Sequence, residues 1–205
     1  MEQLKIKQYL EKEEDKNLSF RVFDLLPENK IIHSEPAQRD HFLILVIEAG
    51  KLELLIEDKI HFLKAGKIAV IFPNQVHSIK KMTQDLVGKI ILFEEVLFCS
   101  DILKNELSVY NVNLSTQLNC TILPSEQFTE SLRTIELIQD VYKKPILIRK
   151  EQARFNIKIF LLSLIESVHG QHPILGQHSS DQPLYVQFKT LLNQYYKEER
   201  TVQYY

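Results

Sequence analysis

The sequence predicts an α+β chain in which a jelly roll of short antiparallel strands precedes about three α-helices. Two patterns carry that reading. From about Phe20 to Ile122 the apolar segments are short, β-branched or aromatic, and broken by turn signals. From Pro124 onward the apolar residues recur at helical spacing instead. Composition supplies the third observation: 205 residues, 44% hydrophobic and 25% charged. A chain of that length and balance can bury a proper core without disulfide or metal staples.

Seven segments fit strands of four to eight residues: FRVFDLL, HFLILVIE, KLELLIE, KIHFLK, KIAVIFP, HSIKK and GKIILFE. Ala49-Gly50, Glu57-Asp58 and Ala65-Gly66 suit tight turns between them. In KLELLIED, Leu52, Leu54 and Ile56 fall on one face and Lys51, Glu53 and Glu57 on the other, as in a half-buried strand. HFLILVIE does not alternate, so both of its faces are expected to be covered. Glu94-Glu95 reads as the start of a helical turn, favourably placed for its dipole, because neighbouring residues do not share a face for acid–base chemistry.

In SEQFTESLRTIELIQDVYKK, Phe128, Leu132, Ile135 and Ile138 form one helical face, with Ser125 expected at the N-cap. Pro145 interrupts. A second helix is expected from about Ile148 to Val168, ended by Gly170. Its main apolar face runs through Ala153, Ile157, Phe160, Leu161, Leu164, Ile165 and Val168. Ile148, Phe155, Ile159 and Leu162 form a narrower opposite stripe at heptad spacing, with Gln152 and Glu166 as its polar members. A helix apolar on two sides needs two partners, either within this chain or in a second copy. Organisation by residue number is a charged N-terminal segment (1–19), a barrel (20–123), a helical pair (124–170), a turn-rich linker (171–183) and a last helix (184–205) that opens at Pro183.

Several function classes drop out. The formal net charge of −2 offers no global attraction to nucleic-acid phosphates. Cys99 and Cys120 match no zinc spacing and are too few for a disulfide framework. The charged N-terminus has no apolar h-region, and the longest apolar runs are too short to span a bilayer, so the expected location is cytoplasmic. No G-x-S-x-G and no glycine-rich phosphate loop argues for nucleophilic catalysis or nucleotide binding, and no enzymatic role is expected.

The stretch AGKIAVIFPNQVHSIKK resembles the second signature of the cupin family. Gly66 opens it and His77 falls eleven residues on; Phe72 stands at the motif's proline position and Asn74 replaces its second glycine, a mild change because asparagine tolerates positive φ. The resemblance implies a cupin-like double-stranded β-barrel. Metal-binding cupins need further histidines and a glutamate upstream of Gly50, where this chain offers only His41 and places Leu43 near the glutamate position. His61 has no motif support. No metal and no cofactor are therefore expected.

The larger order is similar to the N-terminal half of AraC-type transcription regulators. Pro73, Gln75 and His77 match that family's P-x-Q-x-H turn, and Gly88, Phe93 and Leu97 match its glycine–strand–aromatic step. PLYVQFKTLLNQYYKEERTVQYY resembles the linker helix that leads to the family's helix-turn-helix units, which would begin where these 205 residues end. The resemblance implies a barrel that senses a small-molecule effector, helices that pair two chains, and DNA contacted only through that further domain. Candidate effector contacts are His41, Leu43, Leu45, Leu54, Ile56 and His77. The candidate dimer seam is Ile148, Gln152, Phe155, Ile159, Leu162 and Glu166. Two points stay open at this level. His77 either reaches an effector or fixes its own turn through a backbone carbonyl. And either Leu43, Leu45 and Ile47, on the face of His41, or Phe42, Ile44 and Val46 line the barrel. A metal-dependent cupin enzyme and a dimerisation module without a ligand are the alternatives.

Overall fold

The structure, a computed structural model, describes residues 3–10, 18–28, 34–97, 118–141, 144 and 146–171. Its strands are β1 (Gln3–Leu4), β2 (Phe20–Leu25), β3 (Gln38–Arg39), β4 (Phe42–Ala49), β5 (Lys51–Ile56), β6 (Lys59–Lys64), β7 (Lys67–Ile71), β8 (His77–Met82), β9 (Val87–Phe93) and β10 (Thr121–Ile122). A 3-10 turn spans Ile6–Tyr9 and another Glu95–Leu97; the helices are α1 (Ser125–Asp140) and α2 (Ile146–Gln171). All seven strand segments read from the sequence are present. Cys99 and the segment 172–205, including the linker and last helix, lie outside the described residues.

A five-stranded sheet in the order β10-β7-β4-β9-β2 faces a three-stranded sheet in the order β6-β5-β8. The pairings β4–β9 and β5–β8 nest inside one another, as when a long hairpin folds over on itself. That is the cupin-like jelly roll, and with the two helices it makes the chain α+β. The corners are sharp. Gly50 takes φ +76°, Glu57 +55° and Asn74 +66°, so the asparagine at the cupin turn does adopt the left-handed conformation. Gly88 is required by close approach: a Cβ there would stand 1.9 Å from the carbonyl oxygen of Val46, opposite the register shift between Ile47 and Ala49.

β4 divides the core. Leu43, Leu45 and Ile47 point into the barrel with Leu52, Leu54 and Ile56 of β5, Ile90 and Leu92 of β9, and Leu25. Phe42, Ile44 and Val46 point the other way and meet α1 and α2 through Ile135, Ile138, Ile157, Phe160 and Leu164. Each aliphatic side chain so buried stabilises the fold by about 1.5–3 kcal/mol relative to exposure.

Helix α1 begins one residue earlier than expected. Pro124, not Ser125, holds the N-cap position, and it makes no side-chain cap bond. Its carbonyl accepts from the Phe128 N–H at 2.9 Å. Proline's fixed φ suits the entry to a helix, and Ser125 becomes the first helical residue. Helix α2 starts directly after Pro145 and runs through Gly170 to Gln171, so that glycine does not end it. Its expected inner face, from Ala153 to Val168, is buried, while Ile148, Phe155, Ile159 and Leu162 are 41–62% exposed.

Candidate functional site at the barrel mouth

His77 opens β8 and pairs in register with Ile56, the last residue of β5. An isolated bridge joins it to Ala37, with two backbone hydrogen bonds of 3.0 Å. β3 follows directly on that bridge, and its Arg39 is only 1% exposed. Arg39 Nε donates to His77 Nε2 at 3.0 Å, and Arg39 Nη1 donates to the Tyr9 hydroxyl at 2.8 Å. Its guanidinium carbon also lies 5.4 Å from the centre of the Tyr9 ring.

These contacts settle the state of His77. A guanidinium only donates, so Nε2 must be the bare acceptor nitrogen. The proton then sits on Nδ1, which donates to the Gln75 carbonyl at 3.0 Å. The ring is neutral, tied to its own turn on one side and to Arg39 on the other. The backbone-carbonyl bond read from sequence is present, and the bond to Arg39 is added to it. Burial depresses the Arg39 pKa below the ordinary guanidinium value, opposed by the Tyr9 hydroxyl; an arginine keeps its charge nonetheless.

His41 precedes β4 and is fully buried. Its Nδ1 lies 2.7 Å from Asp40 Oδ1, and the same carboxylate oxygen accepts the Ile6 N–H at 3.1 Å. Nδ1 therefore carries a proton. Desolvation holds the His41 pKa below the usual histidine range; the Asp40 bond pulls it upward, and the Arg39 charge adds to the downward push. Burial is the larger effect, so the ring is neutral and Nε2 is a bare lone pair. That nitrogen is buried and has no hydrogen-bond partner among the described residues. Tyr9 closes the cluster edge-on to His41, with ring centres 5.9 Å apart.

The structure brings all six expected effector contacts to one region. Leu43 and Leu45 continue the face of His41, and Leu54 and Ile56 lie across from them in the same buried cluster. His41 and His77 are linked through Arg39 rather than to each other. Tyr9, Arg39 and Asp40 were not legible as site residues. Arg39-x-His41 does have the spacing that puts two strand residues on one face. An isolated arginine reads as surface from sequence alone. Tyr9 belongs to the charged N-terminal segment, whose Leu4, Ile6 and Leu10 prove to be buried, Ile6 within the barrel's aliphatic cluster. The six expected seam residues share the outer face of α2, beside a groove of about 540 Å³ lined by Leu137, Val141, Gln152 and Phe155. Among the described residues, no three His, Cys, Asp or Glu side chains are grouped to hold a metal ion. Nor is any helix there long and apolar enough to cross a membrane.

Comparison with known proteins places residues 31–136 in the AraC-like ligand binding domain family. The chain belongs to that family, the N-terminal domain of AraC-type transcription regulators. A comparison with curated proteins returns no match. Among solved structures it is similar to ToxT from Vibrio cholerae, at 12% identity and a TM-score of 0.47, over 84% of this chain and 65% of that one. The AraC-like transcriptional activator CuxR aligns at 11% identity and a TM-score of 0.41, over 85% and 58%. A Cupin 2 conserved barrel domain protein from Salinispora arenicola aligns at 11% identity and a TM-score of 0.27, over 44% and 84%. The chain thus spans less than two thirds of the length of either regulator.

Proposed function

We propose that this chain is the effector-sensing and dimerisation half of an AraC-type transcription regulator, acting by binding rather than catalysis. One observation carries the sensing role: His41 Nε2 is a fully buried acceptor without a partner among the described residues, beside a buried guanidinium at the end of an aliphatic barrel. An orphaned acceptor in such a place costs about 1–3 kcal/mol, which a ligand donor would recover. The fitting effector is small, donates a hydrogen bond to Nε2, and lays an apolar body toward Leu43, Leu45, Leu54 and Ile56. His77 acts as the group that positions Arg39.

Pairing of two chains is proposed through Ile148, Gln152, Phe155, Ile159, Leu162 and Glu166, an exposed stripe at heptad spacing. DNA would be reached only through a further domain, in the cytoplasm, and the effector would act by preferring one arrangement of the pair.

A thermal-shift screen against sugars, amino acids and aromatic acids, run on the wild type and on His41→Phe, tests the sensor. One class should raise the wild-type midpoint by mass action and leave the variant unmoved. Silence from every class would favour a packed dimerisation module instead. Light scattering on Phe155→Glu tests the seam: the mass should fall from dimer to monomer, and an unchanged mass removes the stripe from the interface.

A further inference from the structure

At the end of β5 remote from His77, about 15 Å along the strand by ordinary strand rise, an open recess of about 510 Å³ lies against the three-stranded sheet. Lys51 and Lys64 sit directly opposite each other there in the β5–β6 register, and both are exposed. Like charges in that relation destabilise a strand pair. Neither ammonium has an ion-pair or hydrogen-bond partner among the described residues. The neighbouring charges are already engaged: Glu53 faces Lys81 at 4.0 Å, and Lys67 Nζ donates to the Phe62 carbonyl at 2.7 Å. Beside the two lysines stand Phe62 and Met82, large apolar side chains that are 62% and 44% exposed.

Two unmatched cations and an exposed apolar pair on one recess describe a ligand with matching parts. We propose that the recess binds a small amphipathic anion. Its carboxylate or phosphate head bridges Lys51 and Lys64, and its apolar body lies on Phe62 and Met82. The head relieves the cross-strand repulsion, and the body covers surface that water otherwise wets. A bare anion would satisfy only the first half. This site is separate from the barrel mouth, and its existence does not depend on an effector binding there.

The chain contains only two methionines, Met1 and Met82, so a methyl-labelled methionine sample carries its own probe in the recess. Octanoate, octyl phosphate, octanol and inorganic phosphate are titrated in turn while the Met82 methyl resonance is followed. Octanoate or octyl phosphate should shift it saturably, the tighter of the two naming the head group. Octanol should bind more weakly and inorganic phosphate should leave the resonance in place. In the Lys51→Gln/Lys64→Gln variant, which alters only exposed side chains, affinity should fall about fivefold or more, the scale of exposed ion pairs. The proposal is overturned by a static Met82 resonance, by wild-type affinity in the double variant, or by an equal shift with inorganic phosphate.

Discussion

On one face of β4, Phe42, Ile44 and Val46 are sealed beneath α1 and α2; on the other, Leu43, Leu45 and Ile47 fill the barrel. The two faces are equally withdrawn from water, but their neighbours differ in kind. The helix-covered face meets aliphatic and aromatic groups, including a stacked Phe42–Phe93 pair with centres 4.7 Å apart and an edge-on Phe42–Phe72 pair at 5.0 Å. The barrel face ends in Tyr9, Arg39, His41 and His77, whose polar atoms must be matched inside the protein. Burial alone therefore does not mark a site. Buried polarity distinguishes the barrel face, where His41 Nε2 is left unmatched among the described residues.

Substitutions on the two faces should separate packing from polarity. Phe93→Ala should have the largest effect, about 3–5 kcal/mol of lost stability by chemical denaturation, because it removes one ring of the stack and leaves a cavity between β4 and the helices. Ligand binding by whatever variant remains folded should be unchanged. A loss below about 1 kcal/mol would mean that face repacks freely.

Arg39→Met should cost less, about 1–3 kcal/mol, from leaving His77 Nε2 and the Tyr9 hydroxyl without the donor they share. Here the change should extend to function: the N-terminal turn at Ile6–Tyr9 should exchange its amide hydrogens faster, since Tyr9 loses its anchor. Unaltered exchange would show that Leu4, Ile6 and Leu10 hold the segment unaided.

The smallest effect is a dependence on pH. Burial keeps the folded His41 pKa below its unfolded value near 6.5, so the unfolded chain binds the extra proton first. Its contribution is complete above that pH and is lost as pH falls through and below it, at no more than about 1.4 kcal/mol per pH unit. His61 shifts in the same direction, through partial burial and the charges of Lys59 and Lys67. His41→Phe should flatten the fall in stability between pH 7 and pH 5 without abolishing it. A wild-type slope in that variant would assign the acid sensitivity elsewhere.

Much of the barrel was legible because its signals are local. Alternation in KLELLIED named the inward face of β5, and the uninterrupted run in HFLILVIE announced a strand covered on both sides. Asn74 at the cupin turn could be read because few residues tolerate its backbone. The polar cluster was only half legible. His41 and His77 stood out by type and motif, whereas Arg39 and Tyr9 acquire meaning only when residues 30 or 38 positions apart meet. The cap of α1 was misplaced by one residue because Pro124 and Ser125 are both good helix-entry residues and chain geometry decides between them.

From the sequence alone followed the element types, the order of strands before helices, the two-sided character of α2 and the resemblance to the AraC-type sensor. Each rests on periodicity or on spacing along one segment. The tertiary structure alone decided which face of β4 lines the barrel, which nitrogen of His41 and of His77 bears the proton, and that Tyr9 joins them at the barrel mouth. Those outcomes depend on strand register and on which distant groups share a dry volume. A linear pattern leaves both unspecified, because the same alternation fits either face until a second sheet and two helices take their sides.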